Sequence, residues 1–417
     1  MDDKVFKSRY LLWVAILYFF FNSALLPEGL LYTDLLTPFL LWWLYKKGRL
    51  GWMGLFFIVI ISFIPVHLSE GVSPWYYLRS VMSLFCSVSF AMAFRVLLQS
   101  GPDLGHLFRQ ILSMNFLVAV VAIIILPFPA IRGVLWYLKE FSPGVGVIPR
   151  LKLLTYEASY YSLLFVPLAL YFYLRLFLFR DKDPWRTFIM VTMPLALSLS
   201  LGVIAGVGLT LFILLISMPS VFLPNTSTLK FLLSGAFIGL LVLTGLMILM
   251  PHNPLSGRIR NIFSGNDTSF RGRTYESFVL AWRIARQKSI LFGCGPGQPK
   301  IVGIPVFQTY YGYLPPVVRL PNTLADTLAV YGLTGLFIRL AFTVWMFFKA
   351  RVSRNYYQLS MFIFMFIYQF TGSFLTNIAE YVIWVLAFVP VFTEFNRQPA
   401  FPGPYRQQHP ILTRMIS

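Results

Sequence analysis

Charged residues, cysteines and histidines are all scarce in this chain, and each shortage excludes a class of protein. Only 12% of the 417 residues are charged, whereas a soluble domain has about 25%. The two cysteines, Cys86 and Cys294, provide no disulfide framework. The four histidines are scattered without metal-ligand spacing, so we expect neither a metal site nor another cofactor.

Apolar residues fill most of the sequence. They make up 58% of the chain, and the mean hydropathy is +0.72. Apolar runs of about 20 residues recur, each long enough to cross a hydrocarbon core about 30 Å thick. The composition therefore predicts an all-α polytopic membrane protein, with residues 1–417 forming a single integral membrane domain.

We expect about twelve transmembrane helices. They cover residues 10–28, 30–46, 52–68, 75–98, 108–127, 158–180, 186–202, 203–222, 229–250, 324–349, 355–373 and 376–393. The pair at 186–222 has two interpretations, two short helices or one bent helix, because Gly202, Gly206 and Gly208 interrupt it.

Lysine and arginine cluster in the loops on one side of the predicted bundle. Examples are Lys46 and Lys47 after the second span and Lys349, Arg351 and Arg354 after the tenth. Short cytoplasmic loops carry an excess of such residues, so the pattern indicates that both termini are cytoplasmic. The net charge is +19. The sequence predicts no soluble domain that could present a basic face to nucleic acid, so no nucleic-acid partner is expected.

That orientation places two longer segments outside the cytoplasm, a first outer loop at 129–157 and a large outer loop at 251–323. The large loop contains nine basic residues and only two acids, Asp267 and Glu276. Long loops are partly exempt from the rule that sorts positive charge inward, so a solvated loop is one interpretation. The other is a binding site for an anionic ligand on the outer face.

Part of the large loop has the spacing of an amphipathic helix. Tyr275, Phe278, Val279 and Trp282 follow i, i+3, i+4, i+7 spacing, which places them on one apolar face. The segment is too polar to span, so we expect it to lie along the membrane surface with that face against lipid or protein. Its arginines are then level with the headgroups, where a guanidinium binds phosphate oxygens in a bidentate way.

Alternating glycines follow this helix at Gly293, Gly295 and Gly297. Such glycines let backbone N–H groups converge on an anion, and a plain turn is the alternative. No predicted strand precedes them, so a dinucleotide-binding fold is not supported.

These features occur in a fixed order. Arg273 and the amphipathic helix come first, Ser289-Ile-Leu-Phe-Gly-Cys-Gly-Pro-Gly297 follows, and Pro321-Asn-Thr-Leu-Ala-Asp-Thr-Leu-Ala-Val-Tyr-Gly-Leu-Thr-Gly-Leu336 opens the next span. This order resembles the bacterial O-antigen polymerase/ligase family. Ligases of that family have a histidine at the position of Pro321, so the resemblance is closer to the polymerases.

The resemblance implies a metal-independent glycosyltransferase with a GT-C-like fold in the bacterial cytoplasmic (inner) membrane. The growing glycan leaves undecaprenyl diphosphate on the outer face and joins a lipid-linked repeat unit. The implied partners are the undecaprenyl-diphosphate-linked oligosaccharide and membrane lipids, and a chain-length regulator is left open. The alternatives are an O-antigen ligase that transfers glycan to lipid A-core and a lipid-linked oligosaccharide flippase, although a flippase should carry charge along the middle of several spans.

The implied reaction requires cations for the departing diphosphate. Arg273 is the first candidate, with Arg271 as the alternative match to the family. An ion pair between Arg273 and Glu276 is the purely structural alternative. Further candidates for the diphosphate site are Arg79, Arg150, Arg258 and Arg319.

The reaction also requires a base for the acceptor hydroxyl. Glu157 opens the sixth span in the segment Glu157-Ala158-Ser159, where polymerases of the family often have Glu-Pro-Ser. Asp326, near the start of the tenth span, is the second candidate. For both residues, an acid that interacts favourably with the helix dipole is the structural alternative.

Overall fold

The fold is almost entirely helical. The computed structural model describes residues 12–23, 30–101, 103–139, 147–179, 183–222, 254–265, 267–313 and 318–397, together with positions 26, 234, 244 and 245. The helices are α1 (Leu12–Phe21), α2 (Tyr32–Leu35), α3 (Thr37–Lys46), α4 (Trp52–Ser69), α5 (Pro74–Gln99), α6 (Leu104–Ile125), α7 (Pro129–Leu135), α8 (Ala158–Leu178), α9 (Pro184–Ser198), α10 (Leu201–Ser217), α11 (Pro219–Phe222), α12 (Pro254–Phe263), α13 (Thr268–Arg273), α14 (Tyr275–Arg286), α15 (Pro299–Tyr311), α16 (Thr323–Lys349), α17 (Tyr356–Tyr368) and α18 (Ile378–Phe388).

Within these ranges, four helices are long and apolar enough to cross a membrane. They are α5, α6, α8 and α16, and each coincides with a predicted span to within a few residues. Shorter apolar helices occupy five further predicted spans, at Leu12–Phe21, Met53–Ser69, Leu201–Ser217, Tyr356–Tyr368 and Ile378–Phe388. The prediction of an all-α membrane protein is confirmed at this level, whereas twelve complete spans stay a prediction. The span predicted at 229–250 lies almost entirely outside the described residues.

The predicted pair at 186–222 forms two helices rather than one bent helix. α9 ends at Ser198 and α10 begins at Leu201, and Leu199 between them has a left-handed backbone with a φ of 46°. The break therefore precedes the glycines. A Cβ at Gly206 would lie 2.9 Å from the ring of Phe364, so this glycine serves close helix packing.

Helix α8 lies at the centre of the largest apolar core. Its apolar residues surround the whole helix, and 83% of its most apolar 18-residue window is buried. A helix that is apolar on every side is stable only when other elements enclose it, and α9, α10, α17 and α18 do so. Glu157, which precedes α8, is therefore attached to the most rigid part of the fold.

The first outer loop contains structure that the sequence did not predict. It begins with α7 and continues with two short antiparallel strands, β1 (Trp136–Tyr137) and β2 (Arg150–Leu151). The indole N–H of Trp136 donates a hydrogen bond to the carbonyl of Ala122 (2.7 Å). This small sheet is a departure from the predicted all-α fold.

The large outer loop contains helices α12 to α15, and α14 and α15 pack against the bundle. An apolar cluster joins α14 and α15 to the start of α16, and its buried members are Leu280, Ala281, Ile284, Cys294, Val306, Phe307, Leu320, Ala325, Leu328 and Ala329. The described part of the loop is therefore packed against the protein, whereas the two interpretations of its positive charge, solvated cations or an anion site, both stay predictions.

Helix α14 is amphipathic as predicted, but the protein contacts its other face. Leu280, Ala281 and Ile284 are buried, whereas Tyr275 is 71% exposed and Trp282 is 41% exposed. Helix α14 has apolar residues on two sides. The side that carries the aromatic residues Tyr275 and Trp282 is exposed, and the other side is buried. Tyr275 and Trp282 were expected to lie against lipid or against protein. The described part of the protein does not cover them.

The glycine motif packs against a break in helix α16. Gly332 has a φ of 66° inside the helix. The N–H groups of Cys294 and Gly295 donate to the carbonyls of Ala329 and Val330, at 2.9 Å each. Backbone groups freed within a membrane helix must find partners in the protein, and the motif provides them. The N–H groups of Gly293 and Gly295 are bonded to the carbonyls of Ser289 and Val330, so these two groups are not available to an anion, and the alternative of a turn fits this part of the motif.

Candidate functional site

A pocket collects side chains from three segments that are far apart in the sequence. The segments are the end of the first outer loop with the start of α8, the large outer loop, and the connection between α17 and α18. The lining residues are Tyr156, Glu157, Ser159, Tyr160, Leu163, Arg273, Arg319, Pro321, Tyr368, Ser373, Phe374 and Asn377. Three of the predicted site residues, Glu157, Arg273 and Arg319, therefore share one cavity.

Glu157 is the N-cap residue of α8, but its carboxylate does not cap the helix. Its own backbone is extended, with φ −149° and ψ 146°, and its side chain accepts no capping hydrogen bond from the helix. One carboxylate oxygen instead accepts a hydrogen bond from the hydroxyl of Ser159 (2.5 Å). The position is that of a helix-terminal acid, but the carboxylate lines the pocket, where it can accept a proton.

Arg273 and Arg271 have different partners, although they are two residues apart. Arg271 forms an ion pair with Glu276 (2.9 Å), and the same carboxylate accepts a hydrogen bond from the hydroxyl of Tyr311 (3.0 Å). Burial and the Glu276 charge raise the pKa of Tyr311, so this phenol stays protonated. The predicted pairing of Arg273 with Glu276 is therefore wrong, and Arg273 faces the pocket instead.

Local chain geometry produces this division. Asp267 caps the start of α13 by accepting from the N–H of Phe270 (2.7 Å). Thr274, with φ −107° and ψ −104°, then interrupts the helix before α14 begins. Arg273 is thus the last residue of a short, capped helix, at the point where the chain changes direction.

Asn322 holds the backbone of Arg273 in place. Its side-chain amide donates to the carbonyl of Arg273 (2.8 Å) and to that of Phe370, while its oxygen caps α16 by accepting from the N–H of Ala325 (2.9 Å). Asn322 is fully buried. One side chain therefore fixes α13, α16 and the end of α17 relative to one another.

We expect Asn322→Asp to reduce activity by about 10-fold or more, because it retains the capping oxygen but replaces the amide donor with an acceptor facing two carbonyls. Losing buried hydrogen bonds in this way costs about 1–3 kcal/mol each. The measurement is the turnover by purified variants of the lipid-linked substrate that the sequence resemblance implies, together with their thermal unfolding. Asn355→Asp is the matched control, because buried Asn355 also caps a helix with its oxygen (3.0 Å from the N–H of Tyr357) and donates from its amide to the carbonyl of Phe392 (2.7 Å), but does not line the pocket. Wild-type activity in Asn322→Asp would contradict a positioning role.

Arg319 reaches the pocket from the segment that precedes α16. Its guanidinium carbon lies 5.2 Å from the ring centroid of Phe374, a cation–π geometry that orients the group. Two other arginines of the described chain pair with carboxylates, Arg271 with Glu276 and Arg339 with Glu380. Arg273 and Arg319 therefore bring positive charge to the pocket that no described carboxylate pairs.

The N-termini of three helices also border the pocket. Glu157 is the N-cap of α8, Asn377 is the N-cap of α18, and Pro321 immediately precedes the N-cap of α16. Each helix N-terminus carries partial positive charge and attracts anions. Together with the two arginines, these termini favour an anion in the pocket. Glu157 is the single acid among the described residues of the lining.

Two stacked tyrosines form one wall. The rings of Tyr156 and Tyr160 are 4.7 Å apart. The hydroxyl of Tyr160 accepts a hydrogen bond from the amide of Asn22 (2.9 Å). Burial and the neighbouring Glu157 charge raise the pKa of Tyr156, and Arg319 opposes this shift. The Tyr156 phenol is therefore a neutral hydrogen-bond donor near pH 7.

The remaining predicted site residues lie elsewhere. Arg79 is exposed on α5, and Arg150 stacks on Tyr137 with its guanidinium carbon 4.7 Å from the ring centroid. Arg258 lies in α12, but its side chain is outside what the structure describes. Asp326 accepts a hydrogen bond from the N–H of Leu375 (3.3 Å), so it supports the segment that lines the pocket without lining it.

Sequence reasoning missed the pocket residues between α17 and α18. Ser373, Phe374 and Asn377 follow the apolar run of α17 in a Thr-Gly-Ser-Phe-Leu-Thr-Asn segment that was assigned to span ends. The glycine and the polar residues of this segment are a turn signal. Its proximity to Arg273 has no signal in the sequence, because it results from packing between distant segments.

Glu380 and Arg339 form a buried ion pair next to this region. A second oxygen of Glu380 accepts from the hydroxyl of Thr323 (2.8 Å). In the described part of the chain, no group of three or more His, Cys, Asp and Glu side chains is arranged to hold a metal ion.

Comparison of the chain with models of known protein families gives no match. Comparison with curated proteins also gives none.

Proposed function

We propose that this chain is a polysaccharide polymerase that transfers a growing glycan from undecaprenyl diphosphate onto a lipid-linked repeat unit. The observation that carries the proposal is the pocket in which one carboxylate and two arginines meet at three helix N-termini. A lipid-linked sugar diphosphate is anionic, and its lipid places it beside apolar helices, so it fits both the charge and the surroundings of this site.

In the proposed reaction, a hydroxyl of the acceptor sugar attacks the anomeric carbon of the donor glycan. Glu157 accepts the hydroxyl proton as the new glycosidic bond forms. The bond between the anomeric carbon and the diphosphate oxygen breaks, and undecaprenyl diphosphate leaves with the bonding electron pair. Arg273 and Arg319, aided by the helix N-termini, stabilise the negative charge that develops on the leaving group.

The remaining parts of the proposal concern the setting of the reaction. We place the chain in the bacterial inner membrane with about twelve spans, a GT-C-like fold and both termini in the cytoplasm, so that the pocket opens on the outer side. Attachment of a cysteine-reactive, membrane-impermeant reagent to single-cysteine variants tests this. Labelling at position 275 from the outside of intact cells supports the orientation, and labelling there only after lysis overturns it.

The decisive experiment uses the purified full chain with lipid-linked repeat units isolated from the source organism after deletion of this gene. We expect products that grow by whole repeats, with release of undecaprenyl diphosphate. Movement of the lipid-linked unit across a vesicle membrane without polymer would indicate a flippase, and a requirement for lipid A-core as acceptor would indicate a ligase.

We expect Glu157→Gln to lower the turnover rate by about 10²–10⁴-fold, the usual contribution of a general base. The amide is nearly isosteric with the carboxylate, so the fold and substrate binding should persist. Glu157→Asp keeps a base at a shorter reach and should retain measurable turnover. Equal turnover of Glu157→Gln and the wild type would remove Glu157 from the chemistry.

A further inference from the structure

Ser373 combines two features that are unfavourable in a folded protein unless something compensates for them. Its backbone is left-handed, with a φ of 69°, a conformation that residues other than glycine rarely adopt. Its side-chain oxygen is buried and has no hydrogen-bond partner, in a residue that is only 6% exposed. Buried hydroxyl groups nearly always have partners, so an unpartnered one requires an explanation.

The surroundings hold Ser373 in this conformation. On one side, the carbonyl of Gly372 accepts a hydrogen bond from the N–H of Thr323 (3.2 Å). On the other, the N–H of Leu375 donates to the carboxylate of Asp326 (3.3 Å). Strained residues persist where neighbouring contacts determine the backbone, and they concentrate at functional sites.

The position of Ser373 indicates what its hydroxyl is for. The residue lines the same pocket as Arg273 and Arg319, and its neighbour Phe374 lies against the guanidinium of Arg319. An anion held by these two arginines has oxygen atoms that accept hydrogen bonds, and a serine hydroxyl donates one.

We infer that Ser373 is a substrate-binding residue whose hydroxyl donates a hydrogen bond to a phosphate oxygen of the lipid diphosphate. This inference rests on the proposed function for the identity of the substrate. It adds a residue that neither charge nor sequence pattern had indicated. It also gives Asp326 an indirect role, because Asp326 helps to fix the backbone that presents the hydroxyl.

The test compares three variants of the full-length protein in detergent. Ser373→Ala removes the hydroxyl, and Ser373→Gly removes both the hydroxyl and the conformational strain. Ser89→Ala is the matched control, because Ser89 on α5 also has a buried, unpartnered hydroxyl but does not line the pocket. The probes are undecaprenyl diphosphate and undecaprenol, which share the lipid and differ in the phosphates.

We expect undecaprenyl diphosphate, but not undecaprenol, to raise the unfolding temperature of the wild type and of Ser89→Ala. Both Ser373 variants should bind the diphosphate about 10- to 100-fold more weakly, the effect of losing one hydrogen bond to a charged group. Ser373→Gly should itself unfold at the wild-type temperature or higher, so it decides the question if Ser373→Ala fails to fold.

Binding and polymer formation separate the two proposals. Binding of the diphosphate that depends on Ser373, without any polymer, would support the inference and overturn the polymerase. Wild-type binding of the diphosphate by Ser373→Gly would overturn the inference, even if the protein makes normal polymer.

Discussion

Arg273→Ala is expected to abolish polymer formation, whereas Arg271→Ala should retain most of it. The two arginines lie on the same short helix, but Arg273 lines the pocket and Arg271 pairs with the buried carboxylate of Glu276. Removing one preorganised group that stabilises a developing negative charge costs about 10²–10³-fold in turnover. Arg271 is 53% exposed and its partner Glu276 only 7%, but the hydroxyl of Tyr311 still donates to Glu276 when Arg271 is removed, so Arg271→Ala should affect stability more than turnover.

The measurement is polymer length and initial rate for both variants, reconstituted at equal amounts, with single-repeat glycans as the expected product of Arg273→Ala. Arg273→Lys is an informative third variant, because lysine retains the charge and loses the planar, bidentate geometry. Equal loss of activity in Arg271→Ala and Arg273→Ala would mean that the pocket does not discriminate between them. Normal polymer from Arg273→Ala would eliminate this residue from the mechanism.

The sequence alone places Arg273 before Arg271 but leaves Arg271 as an alternative, and the reason is geometric. Both fit the spacing to the amphipathic helix, and the irregular backbone of Thr274 decides which one turns inward. Likewise, Glu157 and Asp326 both begin long apolar helices, but only Glu157 lines the pocket. Such choices depend on how distant segments pack, which a pattern of apolar residues does not encode.

The sequence predicts well those features that depend on the composition of a long segment. The four long helices agree with the predicted spans, since an apolar run of about 20 residues has few alternatives to a membrane helix. Helix α14 has apolar residues on two sides, and the spacing of its aromatic residues did not reveal that Leu280, Ala281 and Ile284 form the side that the protein buries. Asn322 was visible as a motif position, but its tethering of Arg273 required the folded structure.

The close contact of Gly293 with Gly332 also decides whether the large outer loop docks on the bundle at all. A Cβ on Gly332 would lie 2.4 Å from the backbone of Leu291, and one on Gly293 would lie 2.4 Å from the backbone of Val330. Neither obstacle is a flexible side chain that can move aside. Both glycines also have left-handed backbones, with φ of 66° and 78°, so an alanine at either position is strained as well as overpacked.

We therefore expect Gly332→Ala and Gly293→Ala each to destabilise the fold by at least about 3 kcal/mol, the sum of overpacking and left-handed strain. Gly202→Ala is the matched control, because Gly202 is helical and a Cβ there meets no atom within 4 Å, so its stability should not fall. The measurement is thermal unfolding and monodispersity of the three variants in detergent. Four backbone hydrogen bonds join residues 290–295 to residues 329–334, and they cannot form around a methyl group. Without them the large outer loop should no longer dock on the bundle, and Arg273 and Arg319 should leave the pocket together. Wild-type unfolding temperatures in both variants would mean that the loop does not make this backbone contact, and the pocket would lose one of its three walls.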